Sequence, residues 1–169
     1  MAAVATWPGL SSTPVVRVLR PGDVAIASRD DRLETLLGSC VAVLLNDPRR
    51  TVGAMCHIVH AGEPPAAAAG DTCFARPALQ ALFTGLLARG IAPALCEARI
   101  YGGGNMFPAQ FTGHHVGASN VQQVLLLLEA SGIRVLSQSS GGRCYRKLSW
   151  VVGVQEPQCL EVDVTPGGA

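Results

Sequence analysis

Residues 35–59 read Thr35-Leu-Leu-Gly-Ser-Cys40-Val-Ala-Val-Leu-Leu-Asn46-Asp-Pro-Arg-Arg50-Thr-Val-Gly-Ala-Met-Cys-His57-Ile-Val59. Two apolar runs of strand length, 41–45 and 52–59, lie on either side of a polar segment that contains Asp47-Pro48. Clusters of Asn, Asp, Pro and charged residues between apolar runs are typical of turns. The stretch therefore predicts a β-hairpin, and the rest of the fold is read outward from it.

The predicted hairpin brings Cys40 and His57 together. Cys40 follows the glycine turn at the start of the first strand, and His57 lies near the end of the second. Because the polar turn lies about midway between them, antiparallel pairing sets these two ends side by side. A thiol becomes a nucleophile when a base or a lowered pKa helps it lose its proton. The pair is a candidate nucleophile and general base; the alternative is a buried cysteine and a hydrogen-bonded core histidine.

Two hydroxyl residues stand close to this pair in the sequence. Thr35 is a candidate third group that orients the imidazole through a hydrogen bond, the alternative being an ordinary threonine in a strand. Ser39 is a rival nucleophile. It ranks below Cys40 because no Gly-x-Ser-x-Gly elbow surrounds it.

Helices and further strands follow from apolar spacing. One helix is predicted around residues 79–86, with Pro77 in its first turn and Gly90 at its end. A second is predicted to begin near Ser119, where Gln122 completes a capping-box pattern, and to stop at Gly132. Further strands are predicted at 15–19, 24–27, 95–101, 135–139, 147–154 and 159–164.

Strands before, between and after two helices predict an α/β domain of the α+β type. Adjacent hairpins favour mixed, mainly antiparallel sheets packed with the two main helices as a layered sandwich. The 169 residues, 49% of them hydrophobic, suit one domain with its own core. We place this domain at residues 15–164, between a flexible leader at 1–14 and a tail at 165–169.

Composition argues against several kinds of partner. The net charge of +1 comes without a Lys/Arg cluster, and aromatic residues make up only 5%, so no nucleic-acid partner is expected. No apolar run approaches the ~20 residues of a membrane span, so no membrane insertion is expected. The N-terminus lacks the pattern of a signal peptide, which favours a cytoplasmic protein with reduced cysteines.

A zinc site is the rival interpretation of the same region. Cys56, His57 and His60, joined by Cys73 or Cys96, offer soft ligands. The spacing matches no strong zinc pattern. Residues 57 and 60 also point to opposite faces of a strand. We therefore predict no metal and no cofactor.

A glycine-rich segment, Gly102-Gly103-Gly104-Asn105, follows a predicted strand. It lacks the further glycines or the Lys-Ser/Thr of a phosphate loop, and Pro108 interrupts any helix directly after it. The segment is better interpreted as a tight loop with close backbone approach. We predict that Gly103 and Asn105, together with Ser39, line a substrate pocket.

Several sequence blocks, in order and spanning roughly residues 15–155, resemble one known family. The blocks are Thr35-Leu-Leu-Gly-Ser-Cys-Val-Ala-Val43, Val52-Gly-Ala-Met-Cys-His57, Arg99-Ile-Tyr-Gly-Gly-Gly-Asn-Met-Phe107, Val116-Gly-Ala-Ser-Asn120 and Ser140-Gly-Gly-Arg-Cys-Tyr-Arg-Lys147. Together they resemble the CheD family, the chemoreceptor glutamine deamidases of bacterial chemotaxis. Ordered blocks of this kind are far more specific than any single motif.

The resemblance implies a Cys-His-Thr triad that maps to Cys40, His57 and Thr35. The thiolate would attack the side-chain amide of a receptor glutamine, ammonia would leave, and water would hydrolyse the thioester to glutamate. Chemoreceptor cytoplasmic domains would be the substrate, and a CheC-like phosphatase a further partner. Related members are also reported to hydrolyse receptor methyl esters.

The chain departs from the family pattern at several positions. His60-Ala61 stands where Leu-Pro is usual, Phe74 replaces a tyrosine, and Tyr145 replaces a glycine. Many members also have one more residue between the threonine and the Gly-Ser-Cys turn. If the replaced glycine needs a positive φ, Tyr145 is strained or its loop is rebuilt. These departures motivate the alternative function, a receptor- or CheC-binding module that is catalytically weak or inactive.

Overall fold

The computed structural model describes residues 13–108, 110 and 114–164. Residues 1–12 of the predicted leader and the whole predicted tail lie outside this described part. Within it the chain forms nine strands and two α-helices, in the order β1 (Val16–Leu19), β2 (Val24–Ser28), β3 (Arg32–Leu37), β4 (Val41–Asn46), β5 (Val52–Ile58), α1 (Ala75–Ala88), β6 (Glu97–Gly102), α2 (Val116–Ala130), β7 (Arg134–Ser140), β8 (Cys144–Val151) and β9 (Gln158–Asp163). Neither of these helices has the length and apolar character needed to cross a membrane.

The strands form two sheets. One has the order β1-β3-β8-β9 and the other β2-β5-β4-β6-β7. The pairs β1/β3 and β6/β7 are parallel, and the remaining pairs in the described chain are antiparallel. The predicted fold class is therefore confirmed: an α+β domain of mixed, mainly antiparallel sheets with two main helices.

The β4–β5 hairpin lies at the centre of the five-stranded sheet, as its apolar sequence suggests. Every residue of β4 is buried because both faces of this sheet are covered. Val43 and Leu45 pack on one face with the helices. Ala42 and Leu44 pack on the other face with the four-stranded sheet. The result is three layers, with the helices outside the larger sheet and the smaller sheet on its other face.

Helix α1 agrees with its predicted pattern. Leu79, Leu82 and Leu86 are buried at the predicted spacing, and Gly90 follows the helix end with a left-handed φ of 73°. The predicted start of the second helix near Ser119 is wrong, because α2 begins one turn earlier.

His115 is the N-terminal cap of α2. Its Nδ1 accepts a hydrogen bond from the backbone N–H of Ala118 at 3.3 Å, the role usually taken by a hydroxyl or carboxylate. Ser119 lies inside the first turn, and its backbone N–H donates to the His115 carbonyl at 3.1 Å. The capping-box pattern at Ser119 therefore misplaced the helix start, because an imidazole cap has no strong sequence signal.

Candidate active site

The strand register places Cys40 diagonally across from His57. Ala42 pairs with His57, and Val41 pairs with Ile58 at the last position of the β4–β5 ladder. Cys40 directly precedes β4 and packs against the core between the two sheets, on the same face as Ala42. Diagonal neighbours on one face of an antiparallel pair lie roughly 7–8 Å apart, within reach of a long or aromatic side chain. The thiol and the imidazole thus share the inter-sheet face at one end of the hairpin.

Thr35 reaches the same face from the other sheet. Its Oγ1 lies 2.8 Å from His57 Nδ1 and donates a hydrogen bond to the Leu19 carbonyl oxygen, also at 2.8 Å. A hydroxyl has a single proton. Since Thr35 donates that proton to Leu19, its oxygen accepts from His57, and the proton of the neutral ring resides on Nδ1.

This tautomer leaves His57 Nε2 with a free lone pair. The imidazole is only 2% exposed, and Nε2 has no hydrogen-bond partner among the described residues. Burial lowers the pKa of His57 from its ordinary value of 6.5, although the Leu19 carbonyl and the charge of Asp23 act in the opposite direction. The ring is therefore neutral at pH 7, as a general base has to be.

Cys40 is half-buried, and its thiol remains protonated at neutral pH. Burial raises the pKa of the thiol above its ordinary value of 9.0, and the nearby Cys73 raises it further, against a lowering by the backbone N–H of Cys40 itself. The Cys40 thiol and the His57 imidazole are therefore both neutral at pH 7. Such a thiol needs proton removal during attack.

The turn that carries Cys40 is held by its carbonyl groups. The carbonyls of Gly38 and Cys40 accept from the backbone N–H of Gly104 at 2.9 Å and of Gly103 at 2.8 Å. Gly102, at φ 112°, allows this approach, because a Cβ there would meet the Cys40 carbonyl oxygen. The glycine-rich segment therefore makes the predicted close backbone approach, and the backbone that it approaches is the turn at residues 38–40.

The predicted pocket residues surround this turn but do not share one pocket. Ser39 and Asn105 line a small depression of about 100 Å³ that also contacts Phe107 and His115. Gly103 lines a neighbouring depression of about 290 Å³, which His115 also borders.

Two buried polar residues near the turn had no predicted role. Asn120 on α2 donates through Nδ2 to the carbonyls of Ser39 and Val59, both at 3.0 Å. The Arg146 guanidinium donates to the carbonyls of Gly102 and Gly141 at 3.3 and 2.9 Å, and these bonds stabilise the start of the glycine-rich segment. Asn120 could have been identified from the sequence as a polar residue within an otherwise apolar helix stripe. The sequence contains no comparable signal for Arg146.

The departures from the family pattern have simple structural accounts. The rings of His60 and Phe74 pack together with centroids 4.9 Å apart, so two of the departures form one contact. Tyr145 lies within β8 without a left-handed φ; Gly141 and Gly142 adopt it instead, at 75° and 74°. The strain considered for Tyr145 is therefore absent.

All six cysteines are unpaired. Among the described residues, no group of three or more His, Cys, Asp or Glu side chains is arranged to hold a metal ion. His57, the central residue of the rival zinc interpretation, is instead engaged with Thr35.

Comparisons with known proteins identify the family of this chain. Residues 61–156 match the family model described as CheD chemotactic sensory transduction. A protein of Pseudomonas syringae pv. syringae named "Probable chemoreceptor glutamine deamidase CheD" is 37% identical over 134 residues, 78% of this chain and 76% of that one. A Chromobacterium violaceum protein named "Probable chemoreceptor glutamine deamidase CheD 1" is 31% identical over 161 residues, 88% of this chain and 81% of that one.

A solved structure, Neisseria meningitidis protein NMB0706, aligns with a TM-score of 0.40 at 14% identity. The alignment covers 71% of this chain and 52% of that one.

The fold and the site define a layered α+β protein with a cysteine, a histidine and a threonine gathered at one end of its central hairpin. The family match and the relatives together show that this chain belongs to the CheD family.

Proposed function

We propose that this protein is a chemoreceptor glutamine deamidase that uses Cys40 as nucleophile, His57 as general base and Thr35 as the group that orients His57. One observation carries the proposal: Thr35 Oγ1 lies 2.8 Å from His57 Nδ1, while the unpartnered Nε2 shares a face with Cys40. The names of the relatives supply the substrate class.

The first half-reaction forms a thioester. Nε2 of His57 takes the Cys40 proton as Sγ attacks the carbonyl carbon of the glutamine side chain. The imidazolium then returns this proton to the amide nitrogen, the C–N bond breaks, and ammonia leaves. The Thr35 oxygen, which accepts from Nδ1, holds the ring in place through both transfers and stabilises its charged form.

The second half-reaction releases glutamate. Water loses a proton to Nε2 and attacks the thioester carbonyl. The C–S bond then breaks, and the thiolate of Cys40 is reprotonated from His57. The net change is one amide plus one water converted into one carboxylic acid plus one ammonia.

Backbone amides at Ser39 and Cys40 are our candidates for stabilising the oxyanion. The carbonyls of Gly38, Ser39 and Cys40 are occupied by donors from the glycine-rich segment and from Asn120. These carbonyls therefore point towards their donors within the protein. N–H groups beside a nucleophile are the usual donors to such an oxyanion.

The substrate in this proposal is the cytoplasmic part of a chemoreceptor, so the protein acts in the cytoplasm. A CheC-like phosphatase is a second proposed partner.

The test is mass spectrometry of a receptor cytoplasmic region incubated with the wild type or with Cys40→Ala. We expect conversion of specific glutamine amides to acids by the wild type alone. The proposal is wrong if Cys40→Ala converts them as fast. Intact receptor binding without conversion, and with no preferential alkylation of Cys40 by iodoacetamide, would support the alternative binding module.

A further inference from the structure

Asn120 connects the two segments that carry the reacting groups. Its side chain is 1% exposed, and its Nδ2 donates at 3.0 Å to the Ser39 carbonyl and at 3.0 Å to the Val59 carbonyl. Ser39 immediately precedes the candidate nucleophile. Val59 follows the candidate base, His57, by two residues. One amide group therefore links the turn before Cys40 to the end of β5.

This tie lies where the strand ladder ends. The last β4–β5 pair is Val41 with Ile58. Beyond this pair, the backbones of the two strands form hydrogen bonds with different segments. The Val59 N–H donates to the Cys73 carbonyl at 2.8 Å, and the Cys40 carbonyl accepts from the Gly103 N–H. Backbone pairing therefore no longer sets the distance between the turn and the strand end, and the Asn120 amide spans that gap.

Helix α2 holds Asn120 rigidly in this position. Val121, Val124 and Leu128 bury the same helix against the five-stranded sheet. One turn before Asn120, Gly117 lies so close to the glycine-rich segment that a Cβ there would meet the Gly103 carbonyl oxygen. The Asn side chain is short, and its single Nδ2 supplies two donors to two carbonyls.

We propose that Asn120 is a positioning residue for the deamidation reaction, setting the Cys40 thiol against Nε2 of His57 without touching the reacting atoms. The inference rests on the proposed function. Its physical basis is the steep dependence of catalysis on geometry, since a misplacement of about 1 Å costs about 100-fold in rate.

The chain offers a matched control at the other end of the same hairpin. Asn46 is also 1% exposed, and its Nδ2 donates to the Gly153 carbonyl at 3.1 Å. Asn46→Ala therefore removes a buried asparagine with a similar backbone contact, but far along β4 from Cys40. Both alanine variants should lose comparable thermal stability.

The experiment compares Asn120→Ala, the milder Asn120→Ser and Asn46→Ala by kcat, KM and the pH profile of Cys40 alkylation with iodoacetamide. Asn120→Ala should lower kcat by about 10- to 100-fold with little change in KM. It should also slow Cys40 alkylation at neutral pH, because burial raises the pKa of this thiol and the misplaced thiol no longer transfers its proton to His57. Asn120→Ser, which keeps one donor, should fall between this variant and the wild type.

Asn46→Ala should keep the wild-type kcat and alkylation profile. The inference is overturned if Asn120→Ala retains both, if Asn46→Ala lowers both equally, or if neither Asn120 variant folds, which would make Asn120 a requirement of the fold alone. Alkylation needs no receptor. If the wild type fails to deamidate receptors, the proposed function falls while the alkylation comparison still tests the positioning role.

Discussion

The two ends of the β4–β5 hairpin differ in how completely their titratable side chains are hydrogen-bonded. At the turn end, the Asp47 carboxylate accepts from the N–H and hydroxyl of Thr51 at 2.7 and 2.9 Å and from the N–H of Val52 at 2.9 Å. At the site end, His57 has one satisfied nitrogen, while Nε2 is buried without a partner among the described residues.

The difference separates a structural end from a chemical one. A buried polar atom without a partner costs about 1–3 kcal/mol. Asp47 avoids this cost by forming bonds that close the turn. Nε2 of His57 incurs this cost, and it keeps a free lone pair on the face of the sheet where Cys40 lies. Buried titratable groups with shifted pKa values are concentrated at functional sites.

The largest contrast is expected from Cys40→Ala. Deamidation of receptor glutamines should fall to background, because no group remains to form the thioester. Cys159→Ala is the matched control, since Cys159 is also half-buried and packs against the same inter-sheet core. Mass spectrometry of receptor peptides measures both. If both variants lose deamidation activity equally, Cys40 has no special role compared with another cysteine of the same core.

His57→Gln should lower kcat by about 10²- to 10⁴-fold, because the thiol then has no base to take its proton. Steady-state deamidation and the rate of Cys40 alkylation at neutral pH should fall together. Asp47→Asn, at the other end of the hairpin, should leave both rates unchanged. Undiminished alkylation of Cys40 in His57→Gln would show that the imidazole does not act on the thiol.

Thr35→Val should lower kcat by about 10- to 100-fold at nearly constant side-chain volume, because Nδ1 loses its acceptor and the ring its preferred tautomer. Thr35→Ser keeps the hydroxyl and should recover most of the rate. A role of Thr35 in packing alone would not produce this difference in kcat between the valine and serine variants. Steady-state kinetics of both variants gives the comparison.

The pH dependence of kcat/KM should follow the neutral form of His57. Since burial lowers its pKa below 6.5, activity should persist through pH 7 and 6.5 and fall about tenfold per unit only below the lowered pKa. The same sign holds for stability: the unfolded state takes up the proton first, so His57 destabilises the fold as pH falls from 6.5 towards its folded-state pKa. A decline in kcat/KM that is already complete at pH 7 would contradict this assignment.

Asp47→Asn is expected to affect stability alone, by about 2 kcal/mol at neutral pH. Burial raises the pKa of Asp47, but hydrogen bonds from Val52, Thr51 and Arg49 outweigh it and lower the pKa below 3.8. The wild type therefore keeps this stabilisation above pH 3.8 and loses it as pH falls through the lowered pKa, where the gap between the two proteins should close. Denaturant unfolding across pH measures it.

Much of this molecule was predictable because its signals are local. The apolar runs and the Asp47-Pro48 turn give the hairpin, and the period of two along each strand puts Cys40 and His57 on the same face. The spacing of Leu79, Leu82 and Leu86 gives α1. The start of α2 was missed because its cap, His115, is an uncommon capping residue.

The sequence by itself determined the hairpin and placed Cys40 and His57 at the same end of it. Tertiary structure decided the rest of the site. Thr35 reaches His57 only because a separate sheet packs across the hairpin, and that contact sets the tautomer that frees Nε2. Asn120 reaches Ser39 and Val59 only because α2 packs on the opposite face. Hydrogen bonds between layers depend on how whole elements pack, and the residue patterns within a single strand or helix do not encode that packing.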